Sequence, residues 1–376
     1  MNALTSILAD RIDAAGPLSF AEFMEVALYH PEHGYYASGR AAIGRGGDYF
    51  TNISVGPLFG RLLMREFAEM WARLGRPASF TVVEQGAHAG DFAHDVLEGA
   101  RALEPGFFEA VRYTIIEPIP AQAERQRTRL SSLAEKLTWF ETLTSLPPFE
   151  GVHFSNELLD AFPVHRVHFC NSEWRVHRVD YNEDEGSFVW ADRPLTNEAL
   201  RAHLATLPTD LPDGYTTEVN LLAAPWISEV SSKLQRGWVL AIDYGYPRAE
   251  YYRPERSGGT LSAYAKHRRV DDPLSSPGEI DLTAHVDFSA LAEAARHAGL
   301  RVSGFTDQHH FMVGLARLHF RDAAEMTPAL EKEHRAFKTL MHPNLMGSAF
   351  KAICLAKHVM ETPLSGFTFA SAGDRL

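Results

Sequence analysis

The run Asn156-Glu157-Leu158-Leu159-Asp160-Ala161-Phe162-Pro163 places a side-chain amide and two carboxylates a few residues apart. Such a set can grip a cationic or amino-bearing group and accept a proton from it. Asn156 could instead cap a helix that carries acids in its first turn, but Pro163 leaves little helix to cap. A second candidate is SFTVVEQGAHAGDFAHD, residues 79–95. Glu84 ends an apolar, β-branched run there, a turn holding Gly86, His88 and Gly90 follows, and Asp91 stands where a helix N-cap would. Backbone that can approach closely without a Cβ, next to free N–H groups at a helix start, suits a nucleotide-like cofactor with an anionic group. The same turn also serves as a plain strand-to-helix connection. The third candidate is Glu117, which closes RYTIIE and lies 27 positions beyond Gly90. Acids that grip ribose hydroxyls stand roughly 20 residues on, and a carboxylate there accepts hydrogen bonds from a vicinal diol. An exposed strand-end Glu is the alternative.

These residues need strand ends to hold them, and the apolar pattern supplies strands. Phe80, Val82 and Val83 mark the first, Arg112–Glu117 the second, Leu137–Leu143 a third and Gly151–Ser155 a fourth. From Val164 to Trp190 the pattern alternates between polar turns, which predicts an antiparallel meander inserted before the fifth strand, Trp238–Asp243. Glu218–Leu234 is expected to be helical, residues 244–286 a long loop region, Phe288–Ala298 a helix, Arg301–Thr306 and Ala349–Ala356 strands, and 312–340 helices. Before the sheet, residues 3–30 read as two helices, the second capped by Ser19. Residues 29–56 form a long loop, and Leu58–Leu74 is an amphipathic helix. Strands alternating with helices, the early ones ending on acids, give a doubly wound α/β sheet. The expected division is a helical region with a lid loop at 1–78 and a cofactor-binding domain at 79–376, with the β meander and helix inserted at about 164–234.

Bulk composition excludes several classes. The 376 residues carry a formal net charge of −12 with 45% hydrophobic and 22% charged residues, which speaks against a nucleic-acid partner held through its phosphates. Cys170 and Cys354 are the only cysteines, too few for a disulfide framework or a four-cysteine zinc site. The pairs His30/His33 and His165/His168 are each three apart. On a strand that odd spacing turns the second pair to opposite faces, and no carboxylates complete the first, so no metal is expected. No Gly-x-Ser-x-Gly elbow occurs. No apolar run approaches the length of a membrane span, and the acidic start argues against a transit peptide. A cytoplasmic protein is expected.

Motifs in series then resemble one family. HPEHGYY, GDYFTNISVGPLFG, EQGAHAGDF, IIEPIPAQAERQ, NELLDAFPVHRV, AIDYGYP, GGTLSAYAKH, GEIDLTAHVDF and HPNLMGSAFKAICLAK are similar, in order, to the MidA-type family of class I S-adenosylmethionine-dependent methyltransferases. Its mitochondrial members methylate an arginine of a complex I subunit and assist assembly of that complex. The resemblance implies a Rossmann-like seven-stranded sheet, S-adenosyl-L-methionine as cofactor and a protein substrate, with no nucleic acid, no membrane and homodimer formation left open. It implies that Glu84, Gly86, His88, Gly90 and Glu117 hold the cofactor and that Gly47, Asp48, Phe50 and Thr51 fold over it. Asn156, Glu157 and Asp160 would act on the substrate. One position departs from the family loop, Glu-x-Gly-x-Gly-x-Gly: His88 stands at the middle glycine. That departure keeps three alternatives open, namely an active protein arginine methyltransferase, an assembly or binding protein that kept the fold without turnover, and a methyltransferase of small molecules.

Overall fold

The computed structural model describes residues 2–37, 52–265, 268–320, 327–342 and 347–376. By compactness the chain divides into two units. The first comprises Met1–Phe50, Leu159–Pro225 and Tyr246–Asp287; the second comprises Thr51–Leu158, Trp226–Gly245 and Phe288–Leu376. This division gathers the N-terminal helices with the inserted segments, where the sequence reading drew its boundary at residue 78.

The second unit holds the large sheet. Its strands are β1 (Phe80–Gln85), β2 (Val111–Ile116), β3 (Leu137–Phe140), β4 (Phe149–Asn156), β5 (Leu234–Tyr246), β6 (Arg301–Asp307) and β7 (Phe350–Lys357). They lie in the order β6-β7-β5-β4-β1-β2-β3. Pairing is parallel from β5 through β4, β1 and β2 to β3. Of these seven, β7 is the reversed one, antiparallel to both β5 and β6. The central strands read as near-continuous apolar runs because helices cover both faces of a parallel sheet. Val82, Val152, Leu240 and Ile242 are buried in one core with Phe59, Phe67 and Phe92. Parallel strands put their carboxyl ends on one edge, so the segments after β1, β2, β4 and β5 are neighbours there. Two glycines sustain the close approach of strands at the opposite end. A Cβ on Gly151 would stand 1.9 Å from the Thr81 carbonyl oxygen, and one on Gly237 1.8 Å from that of Gly151.

In the first unit, α1 (Ala3–Ala15) and α2 (Phe20–Tyr29) precede the inserted strands. Ser19 and Glu22 form a reciprocal cap at the start of α2, as the Ser-x-x-Glu spacing dictates. The expected meander is present as antiparallel strands at His165–Cys170, Glu173–Asn182 and Ser187–Pro194. Three sequence expectations change. Thr216–Val219 is a strand paired with His165–His168, and the helix expected from Glu218 begins only at Ala223. The β-branched Thr216, Thr217 and Val219 complete a sheet edge, and this tertiary pairing outweighs helix propensity. The region 244–286 holds a small antiparallel sheet of Ser262–Ala265, Arg268–Val270 and Asp281–Thr283. A helix at Glu198–Leu204, capped by Asn197, lies in the insertion as well. His165 and His168 behave as their odd spacing requires. The His168 ring lies 4.2 Å from that of His177, tilted by 34°, while His165 feels the charges of Glu22 and Arg178.

Candidate active site at the carboxyl edge of the sheet

The loop after β1 takes the shape that its glycines allow. Gly86, His88 and Gly90 all have positive φ, at 85°, 45° and 86°. A glycine occupies such a conformation freely, whereas a histidine there costs about 1 kcal/mol or more. The loop therefore keeps a glycine-type bend at 88 and carries an imidazole on it. Gly90 forms the N-cap of the helix α3 (Asp91–Leu103), with no side-chain cap on its first N–H groups. Asp91 is thus the first helical residue and not the cap, and it pairs with Arg129 at 2.8 Å. A Cβ at Gly90 would press within 3.1 Å of Leu130.

Glu84, next to last in β1, is buried, and the Tyr113 hydroxyl donates to it at 2.8 Å. Burial pushes its carboxyl up to about 8, against the pull of the tyrosine bond. Gln85, for which the sequence offers no reason, accepts the indole N–H of Trp226 at 2.9 Å.

Glu117 follows β2. Its Oε1 accepts the Ile119 amide at 3.0 Å, and its Oε2 accepts Gln126 Nε2 at 2.8 Å. Burial raises this carboxyl above its usual range while the two donors pull it back. A carboxylate offers about four lone-pair sites, so two remain for a diol. These features fit the cofactor: a bare backbone bend, uncapped helix N–H groups and an oriented acid with acceptor capacity in hand.

At the tip of β4, Glu157 has φ 53°, which is uncommon for a residue other than glycine. Its N–H continues the ladder to the Ile242 carbonyl at 3.0 Å. β5 runs three residues past the expected end at Asp243, and the Asp243 carboxylate accepts Leu158 N at 3.1 Å and Tyr244 N at 2.8 Å, so it clamps the turn from the neighbouring strand. Asn156 Nδ2 donates to Glu157 Oε1 at 2.9 Å. Behind it stands a chain of buried amides. Asn52 Nδ2 donates to Asn156 Oδ1 at 2.9 Å, and Gln308 Nε2 donates to Asn52 Oδ1 at 2.7 Å and to the Leu340 carbonyl at 3.0 Å. Asn52 and Gln308 are fully buried. The Leu340 carbonyl can only accept, so it sets the sense of the chain from Gln308 through Asn52 and fixes which atom of Asn156 faces Glu157; Gln308 Oε1 is left without a partner among the described residues.

Asp160 belongs to the first unit. It is buried there, its carbonyl accepts Ala284 N at 2.9 Å, and its charge, with that of Asp281, adds to the burial that raises the Tyr29 and Tyr36 phenols. Asp281 accepts the Tyr36 hydroxyl at 2.9 Å. Gly47, Asp48, Phe50 and Thr51, the expected lid residues, lie outside the described residues. Asn52, Gln308, Asp243, Gln126 and Tyr113 were not singled out from the sequence. Only Asp243 carried a signal, as an acid that ends a buried strand.

A parallel sheet in this order with one reversed strand, a glycine-type loop after β1 and an oriented acid after β2 define a class I methyltransferase. Residues 62–306 match the family described as "Putative S-adenosyl-L-methionine-dependent methyltransferase". The chain is 34% identical to a Burkholderia thailandensis protein solved with S-adenosyl-homocysteine bound, with a TM-score of 0.89 over 100% of this chain and 96% of that one. It is 27% identical, over 97% of its length and 89% of the relative's, to a Drosophila melanogaster protein named protein arginine methyltransferase NDUFAF7 homolog, mitochondrial. It is 26% identical to the Homo sapiens protein arginine methyltransferase NDUFAF7, mitochondrial, over 93% of this chain and 82% of that one. The chain belongs to this family of S-adenosyl-L-methionine-dependent methyltransferases, and S-adenosyl-L-methionine is its cofactor. The cytoplasmic expectation is corrected by the same relatives, which are named as mitochondrial. That expectation rested on the acids of the N-terminal segment, since transit peptides are poor in them.

Proposed function

We propose that the chain transfers a methyl group to an arginine side chain of a protein partner, with Glu157 as the residue that orients the guanidinium and takes its proton. The carrying observation is Glu157 itself, held at positive φ at the tip of β4 with its carboxylate aimed by Asn156. Strained backbone of this kind persists only where its surroundings hold it in place, and it clusters at functional sites. S-adenosyl-L-methionine, when bound, supplies an activated sulfonium methyl. What the chain must add is alignment of a guanidinium lone pair, exclusion of water and a place for a proton. The bound cofactor would supply the methyl group to the guanidinium nitrogen and leave as the neutral thioether, and the Glu157 carboxylate would take the proton displaced from that nitrogen. Asn156 holds that carboxylate, and Asp160 is retained as a second carboxylate on the sequence argument. Glu84, Gly86, His88, Gly90 and Glu117 hold the cofactor, and Gly47, Asp48, Phe50 and Thr51 cover it.

The names of the relatives support a protein arginine acceptor, and the family resemblance supports a subunit of complex I as that partner. The test supplies methyl-labelled S-adenosyl-L-methionine with a mitochondrial extract enriched in complex I subunits, then hydrolyses the labelled protein. The expected product is methylarginine. Label found only in small molecules would contradict the proposal. A second reading, a protein that keeps the fold without turnover, is favoured by the imidazole at His88. It predicts no label in either fraction.

A further inference from the structure

Gln126 lies in the helix Pro120–Arg129 and is fully buried. Its amide is completely used. Nε2 donates at 2.8 Å to the His88 carbonyl and at 2.8 Å to Glu117 Oε2, and Oε1 accepts Trp139 Nε1 at 3.0 Å. The indole can only donate, so it fixes which end of the amide is oxygen. Both hydrogens of the NH₂ group are then committed, one to the loop after β1 and one to the acid after β2. No other side chain of this length offers one acceptor and two donors in that arrangement. A glutamic acid has one donor at most, and methionine has none.

We propose that Gln126 is a positioning residue for the cofactor ribose: it joins the β1 loop to Glu117 and leaves the outer lone pairs of that carboxylate pointed at the hydroxyls. The proposal rests on the reading of Glu117 as the ribose acid. The Ile119 amide holds Glu117 Oε1 and Gln126 holds Oε2, so the two bonds together fix the carboxylate about its last torsion. Its hold on the His88 carbonyl also pins the one loop residue that departs from glycine. A carboxylate aimed in this way gives each ribose hydroxyl a charge-assisted bond, the stronger kind.

The experiment is calorimetric titration of the full chain with S-adenosylhomocysteine and with its 2′-deoxyribose analogue. The wild type is expected to bind the analogue at least about tenfold more weakly, the weight of one hydrogen bond to a charged group. In Gln126→Met, S-adenosylhomocysteine weakens and the penalty for the missing hydroxyl shrinks below about threefold. A merely structural role would weaken both ligands alike and leave the penalty intact, and that result overturns the proposal. Glu117→Ala separates the two levels. If its penalty vanishes while Gln126→Met keeps the full one, the Gln126 role alone is wrong. If the wild type shows no penalty, the ribose reading and this proposal fall together. Should Gln126→Met not fold, Gln126→Leu removes both donors at a similar side-chain volume. It is expected to lose the penalty too, and retention of the penalty would count against the proposal equally.

Discussion

Glu157→Gln is expected to lower methyl transfer by about 10²–10⁴-fold, the usual weight of a positioned proton acceptor, while S-adenosylhomocysteine still raises the melting temperature. The substitution preserves size and the ability to accept from Asn156, so the turn at positive φ has no new steric reason to change. What disappears is the negative charge that orients a guanidinium and the basic oxygen that takes its proton. The split between turnover and ligand binding is the diagnostic. If the variant loses binding together with turnover, Glu157 is a cofactor ligand and the assignment of the proton acceptor is wrong. If turnover survives, the acid at the tip of β4 is structural. Asn156 sits behind it in the amide chain from Gln308 and Asn52, so damage to that chain acts through the same carboxylate.

The second large effect is on stability, and Glu84 carries it. Its folded-state pKa is about 8 against an ordinary 4.5, because the carboxyl is buried in the sheet beside Tyr113. A raised carboxyl pKa means that the fold prefers the protonated form. The associated stability is complete below about pH 4.5 and is lost as pH rises towards about 8, where the folded state ionises too. At about 1.4 kcal/mol per pKa unit, the loss across that window is roughly 5 kcal/mol. Glu84→Gln keeps an acceptor for the Tyr113 hydroxyl and has no proton to lose. Denaturant unfolding of both proteins between about pH 5 and 8 should show the wild type weakening relative to the variant by several kcal/mol. Parallel pH profiles would show that Glu84 ionises freely in the fold. Above about pH 8 the difference should stop growing.

Much of this arrangement was legible in the chain. The buried strands announce themselves as short apolar runs, and Glu84, Glu117 and Asp243 mark their carboxyl edge. The Ser19-Phe20-Ala21-Glu22 cap is a local code and reads directly. The strand at Thr216–Val219 was hidden because its partner, His165–His168, is some fifty residues distant; alone, the segment gives no period. The small sheet within 262–283 was hidden for the same reason. The site amides are harder still. Nothing near Asn52 in the sequence points to Asn156 or Gln308, and Gln126 looks like one more polar residue on a helix. An amide has no charge, no periodicity and no motif of its own. Its role comes from distant partners, and only the folded backbone names them. His88 is the converse case: the sequence shows an oddity, and the structure shows the bend retained with the side chain added.

The central claim is that the loop Gly86–Gly90 and Glu117 together hold an adenosyl sulfonium cofactor despite the imidazole at 88. The direct measurement is titration of the wild-type chain with S-adenosylhomocysteine, with NAD as the control. Saturable binding is expected, together with a rise in stability of about 2.7 kcal/mol at a hundredfold excess over the dissociation constant, and no response to NAD. Absence of binding to the wild type, with binding gained in His88→Gly, would contradict the account and leave a methyltransferase fold whose cofactor site is closed.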